Sequence, residues 1–263
     1  MLTERNNPLV DLVKRGLLLA VVGALLFFFG THEVFAQSVG SAGTDAGDAQ
    51  APLCRMGVNV NHYYFEPGIA EFDTAPLRIG WYIDYTARQN AARPQGMRFA
   101  PVIRLIQDGD DYNTGPSGSS LDDAIDRYAG QGFTWVIGNE PDRPGIYQDD
   151  IEPEVYAKAY HELRARIKAI DPTARVLAGS IVQATEVRMQ YLDLILAAHQ
   201  ARYGMPMEVD GWAIHGFILN EVSCANRPDG LDCWGAEIPP GVDETTGLVI
   251  SPQDNDDLAI FQQ

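Results

Sequence analysis

Apolar positions along this chain change period in a regular order. Short runs that could be buried strands stand at Met56–Val60, Leu77–Ile83, Phe99–Ile106, Thr134–Gly138, Arg175–Ile181 and Val209–His215. Between the later runs the period lengthens to that of amphipathic helices. Ser120 is placed to cap a helix carrying Leu121, Ile125 and Tyr128 on one face. A longer helix has Pro153 and Glu154 in its first turn and Tyr156, Tyr160, Leu163, Ile167 and Ile170 along one stripe, and ends at Asp171-Pro172. A third carries Val187, Tyr191, Leu194, Ile195 and Ala198 and stops near Gly204. Strand followed by helix, repeated, predicts parallel strands wrapped by helices: a (β/α)8 barrel or an open doubly wound sheet. No glycine-rich phosphate loop follows any of the strands, which favours the barrel, with about six of its eight units present.

The first residues follow a different pattern. Lys14 and Arg15 precede an unbroken apolar run from Leu17 to Phe29, and a short polar stretch then ends at Val34-Phe35-Ala36. The run is shorter than the roughly 20 residues that span a bilayer. Residues 1–36 therefore read as a cleaved export signal, with a retained anchor as the alternative and the only route to a membrane. The segment 37–53 is rich in Ser, Gly, Ala and Asp and reads as a flexible linker. The folded domain is expected over 54–263, outside the cytoplasm.

Composition narrows the partners. The chain has 263 residues, 46% of them hydrophobic, and a net charge of −17. Three acids (Glu4, Asp11, Glu33) and three bases (Arg5, Lys14, Arg15) cancel within the signal, so the excess lies on the domain. Such a surface repels nucleic acid and anionic lipid and leaves neutral ligands such as sugars. A monomer is expected. Of the three cysteines, Cys224 and Cys233 bracket a turn-rich loop and are expected to form a disulfide, leaving Cys54 free. No cysteine has a second ligand at metal spacing, so neither metal nor cofactor is expected.

In a barrel the C-terminal strand ends line one mouth, where functional groups collect. Read in order, these ends supply Asn59, Asn61 and His62; Trp81, Tyr82 and Asp84; Arg104; Asn139 and Glu140; Ser180 and Gln183; and His215. Amides, a carboxylate, imidazoles and flat rings suit a polyhydroxy ligand, while phosphate would call for more bases than Arg104. Trp81 and Tyr82 alternate on a strand, so one faces the interior and the other packs in the core. Asp142 and Arg143 read as a surface pair, and Glu221 and Glu237 as ordinary loop acids.

Asn139-Glu140-Pro141 at the end of the fourth strand resembles the Asn-Glu-Pro motif of the retaining glycoside hydrolases built on (β/α)8 barrels, the cellulase-like and xylosidase-like enzymes. The resemblance covers about residues 55–217. It implies hydrolysis of O-glycosidic bonds in a poly- or oligosaccharide, with Glu140 as general acid/base and Asn139 holding the sugar 2-hydroxyl. His215, Arg104, Asn61 and Trp81 would line the substrate cleft. It also implies a nucleophilic carboxylate about 5 Å from the acid/base, at the end of a seventh strand. The residues after His215 are mostly loop and contain no such strand, so the chain is expected to lack that carboxylate. The alternatives are a barrel that binds carbohydrate without cleaving it, or an inactive fragment.

Overall fold

The computed structural model describes residues 53–60, 68–145, 147–223, 235–254, 256, 257 and 259. The proposed signal, most of the linker, Asn61, His62, Cys224 and Cys233 lie outside these residues. Seven strands form one sheet: β1 (Leu53–Val60), β2 (Ile79–Asp84), β3 (Arg98–Asp108), β4 (Asp111–Gly115), β5 (Thr134–Ile137), β6 (Arg175–Ile181) and β7 (Gly211–Ile214). Three helices accompany them: α1 (Ser119–Tyr128), α2 (Pro153–Ile170) and α3 (Glu186–Tyr203). The order β1-β2-β3-β5-β6-β7 is parallel throughout, each strand pairing with the next. Six consecutive parallel strands with no reversal of order are the first six staves of a (β/α)8 barrel; a doubly wound sheet would reverse direction at a switch point. The fold is a partial barrel of the TIM type.

Three features depart from the sequence reading. Strand β4 was not anticipated. It returns antiparallel on the far half of β3 through the two-residue turn Gly109-Asp110, with Asp108 opposite Asp111. The Asp-Gly-Asp sequence there is a hairpin signal. Among the described residues, the connections β1–β2 and β2–β3 carry single turns of 3-10 helix at Ile69–Glu71, Ala75–Leu77 and Pro94–Gly96, so strict strand–helix alternation begins only after β3. Helix α1 starts one residue before Ser120 and is preceded by Gly118, whose φ of 56° suits glycine.

Strand alternation separates two faces. Trp135 and Ile137 of β5, with Val176 and Ala178 of β6, pack on the helix side with Tyr156, Tyr160, Leu163 and Ile167 of α2. Thr134, Val136 and Leu177, of opposite parity, face a cavity of about 900 Å³ that runs along the inner side of the sheet. On β2, Tyr82 packs in the core against Phe99 with ring centroids 5.0 Å apart, and Trp81 lines the cavity. In α3 the stripe is shifted from expectation: Leu194 is exposed, while Leu192 and the fully enclosed Arg188 join Val187, Tyr191 and Ile195 on the buried face. Gly204, at φ 69°, ends that helix as expected. Among the described residues, no helix is long and apolar enough to cross a membrane.

Candidate active site

Strand β5 delivers Glu140 to the mouth by leaving regular geometry. Gly138 takes a φ of 84° and Glu140 a φ of 48°, and the Glu140 N–H donates to the Ser180 carbonyl at 3.0 Å, tying the ends of β5 and β6 together. The Glu140 side chain is 5% exposed and held on both oxygens: Oε1 lies 2.9 Å from His215 Nδ1, and Oε2 accepts from Arg143 Nη1 at 3.1 Å. His215 is fixed from behind, with its Nε2 3.0 Å from Ser180 Oγ and its N–H donating to the Ile181 carbonyl at 2.7 Å. Burial pushes the Glu140 carboxyl up, but the His215 hydrogen bond and charge and the Arg143 charge outweigh it, and the group sits below the ordinary glutamate value. Tyr85, just past β2, has its phenol raised by burial and then by the Glu140 charge, and it accepts a 3.4 Å bond from Asn59 Nδ2.

Asn139 is positioned by Asp149. The two oxygens of that enclosed carboxylate take the Asn139 and Leu105 N–H groups at 2.8 and 2.9 Å and Arg104 Nε at 2.5 Å. Burial nonetheless raises the Asp149 carboxyl to about 6, with Arg104 and the backbone donors offsetting it only in part. Asn139 Nδ2 donates to Gln148 at 3.0 Å, and its buried Oδ1 has no protein partner. A buried amide oxygen without a donor is ready to accept one from a ligand.

The sequence leaves Arg104 three roles: holding Glu140 ionised, binding substrate or anchoring a loop. The structure binds it to Asp149 and the Tyr147 carbonyl, and it is Arg143 that reaches Glu140. Asp142 is not the surface partner of Arg143. It is fully buried on Arg188 at 2.6 Å, and the same guanidinium binds Glu221 at 2.7 Å. Glu221 stands in a loop but is fully buried, not an ordinary surface acid; it also accepts from Thr185 Oγ1 and the Leu248 N–H. Gln183 is buried and exchanges two bonds with the Leu219 backbone. Trp81 pairs with Arg98, the first residue of β3, so its ring lies deep in the cavity and below the mouth. The ring at the mouth is Phe217, which meets His215 edge-on with centroids 5.8 Å apart. Phe217 stands two residues beyond His215, the spacing of a shared strand face, which was the available sequence signal. Among the described residues, no group of three or more His, Cys, Asp or Glu side chains is placed to hold a metal ion.

The chain matches no protein-family model and no curated protein. Among solved structures it is similar to a GH128 (subgroup II) endo-beta-1,3-glucanase from Pseudomonas viridiflava, with 14% identity and a TM-score of 0.44, over 63% of this chain and 60% of that one.

Proposed function

We propose that this domain is an exported glycoside hydrolase acting by retention, with Glu140 as general acid/base, Asn139 Oδ1 accepting a sugar hydroxyl and a carbohydrate as substrate. The observation that carries the reading is the mouth itself. An enclosed carboxylate is gripped by an imidazole and a guanidinium, beside an unpartnered amide oxygen and the Phe217 ring. Cleavage of a glycosidic bond needs one carboxyl to give a proton to the leaving oxygen and then take one from water. The ionised Glu140 of the resting site suits the second half. For the first, the Glu140–His215 pair must take up one proton, so turnover is expected to rise toward acid pH. Asp84, Asp142, Asp149 and Glu221 are each bound to an arginine, as Glu140 is to Arg143. Following the resemblance, which puts the nucleophile at the end of a seventh barrel strand, the reading places it outside the described residues.

One observation favours a second reading, a barrel that binds sugar without cleaving it: His215 and Arg143 keep Glu140 from being a resting proton donor. Hydrolysis of aryl and alkyl glycosides and of soluble polysaccharides by wild type and Glu140→Gln separates the two. The acid/base assignment expects a loss of about 10²–10⁴-fold on poor leaving groups and a smaller loss on activated aryl glycosides. Equal rates on alkyl glycosides would overturn it. Sugar binding that survives Glu140→Gln, with no turnover by either protein, would establish the second reading.

A further inference from the structure

Parity along β6 puts Leu177 on the cavity side and Val176 and Ala178 on the helix side. Continued alternation would turn Ser180 outward with Ala178 and Ile181 inward. The structure does the reverse. The β6–β7 register slips between Gly179 and Ile181, Gly179 and Ser180 take φ values of 94° and 60°, Ile181 joins the helix-side core, and Ser180 lines the cavity. An irregularity of this kind re-aims a side chain. Here it aims Ser180 Oγ at His215 Nε2, 3.0 Å away.

Serine, imidazole and carboxylate in hydrogen-bonded series form the arrangement of a nucleophilic triad. Burial decides against that role: Ser180 is 1% exposed and offers its oxygen to the imidazole instead of to a ligand. We infer that Ser180 is a positioning residue that enables the Glu140–His215 pair to carry the extra proton needed for acid catalysis, by accepting the Nε2–H of His215. This rests on the reading of Glu140 as acid/base.

The proton count runs through three states. In the resting pair Glu140 is ionised, the His215 Nδ1–H donates to it, and the Ser180 hydroxyl donates to Nε2. One added proton gives either an imidazolium facing a carboxylate, or a Glu140 carboxylic acid donating to Nδ1 of an imidazole that carries its hydrogen on Nε2. Both protonated states need an acceptor opposite Nε2, and a hydroxyl that rotates serves as donor before and acceptor after. Only the second puts the proton on Glu140, and its O–H must turn off Nδ1 to reach a leaving oxygen. A bond from an imidazolium is stronger than the neutral one it replaces, so Ser180 favours proton uptake. The other groups facing the pair are Arg143, from the turn after β5, which opposes uptake, and Tyr85, from beyond β2, whose raised phenol stays neutral. Phe217 meets the His215 ring in a T-shaped contact, with centroids 5.8 Å apart.

The test is a pH titration of the His215 ring by NMR in the ¹⁵N-labelled full chain, as wild type, Ser180→Gly and Ser180→Ala, with His215→Gln to assign the signal. Glycine is at ease at a φ of 60°, so Ser180→Gly removes Oγ without endangering the fold. The expected result is a midpoint lowered by on the order of 0.5–1 pH unit in Ser180→Gly. Where a substrate is turned over, the alkaline limb of kcat/KM should fall by the same amount. An unchanged midpoint overturns the inference, and so does covalent capture of Ser180 in the wild type by a fluorophosphonate, which would make it a nucleophile. The titration needs no substrate, so it can fail while the Glu140→Gln hydrolysis result stands, and the reverse.

Discussion

Replacing Arg188 by Met tests whether the floor beneath the mouth is held by charge. Arg188 and its two carboxylate partners have no exposed side-chain surface. Its guanidinium makes four short bonds: to the Asp142 carboxylate at 2.6 Å, to the Asp142 carbonyl at 2.7 Å, to Glu221 Oε1 at 2.7 Å and to the Glu237 carbonyl at 2.7 Å. Met fills the volume of the stem but leaves two enclosed carboxylates without their cation. Breaking a buried ion pair from one side costs about 3–5 kcal/mol, a large share of the roughly 5–15 kcal/mol that holds a domain together. At about 2 kcal/mol per molar of urea, the unfolding midpoint at pH 7 should fall by about 1.5–2.5 M. Burial already raises the Asp142 carboxyl, and the Arg188 charge is the main influence opposing it. Without Arg188 the group rises further. A carboxyl raised in the native state gives stability back as pH falls, because the native state then binds the extra proton. The deficit of the variant should therefore shrink between pH 7 and pH 5. A midpoint shift under about 0.5 M, or a deficit that grows on acidification, would refute the argument.

Two further variants probe the site walls. A Cβ on Gly57 would stand 2.2 Å from Trp81 Cε2, so Gly57→Ala should cost about 1–3 kcal/mol in chemical denaturation, and Trp81→Leu in the same chain should recover most of it; additive losses would show that the two residues do not meet. Asp149→Asn should cost about 1–3 kcal/mol at pH 7, because an amide must face Arg104 with a donor while its one oxygen serves two backbone N–H groups. With the Asp149 carboxyl raised to about 6, wild-type stability should fall as pH rises from about 4 to 6, a slope that Asp149→Asn removes.

The sequence made β5, β6, β7, α2 and most of α3 legible because short apolar runs alternate with longer stretches of helical period. It also pointed to Glu140 as the carboxylate at a strand end, since Asn-Glu-Pro follows an unbroken apolar run. Arg188 was legible in principle: it lies three and seven residues before Tyr191 and Ile195 on the buried stripe, and a cation there implies enclosed anions. Which anions could not be read, because Asp142 and Glu221 come from loops far apart in sequence. Ser180 was named among the strand-end residues, but its contact with His215 depends on a slip in register that no local pattern announces. The choice of Arg143 over Arg104 for Glu140 has the same origin, since Asp149 claims Arg104 from 45 residues away.

Glu140 and Ser180 stand hydrogen-bonded to each other through the backbone, both in the left-handed region that favours glycine. Glycine at either position would relieve on the order of 1 kcal/mol of backbone strain. A library of this chain sorted for thermal tolerance alone would therefore drift toward glycine at 140 and 180, and its hardiest members would be blank at the mouth. Selection for folding and selection for chemistry pull in opposite directions at these two neighbouring residues.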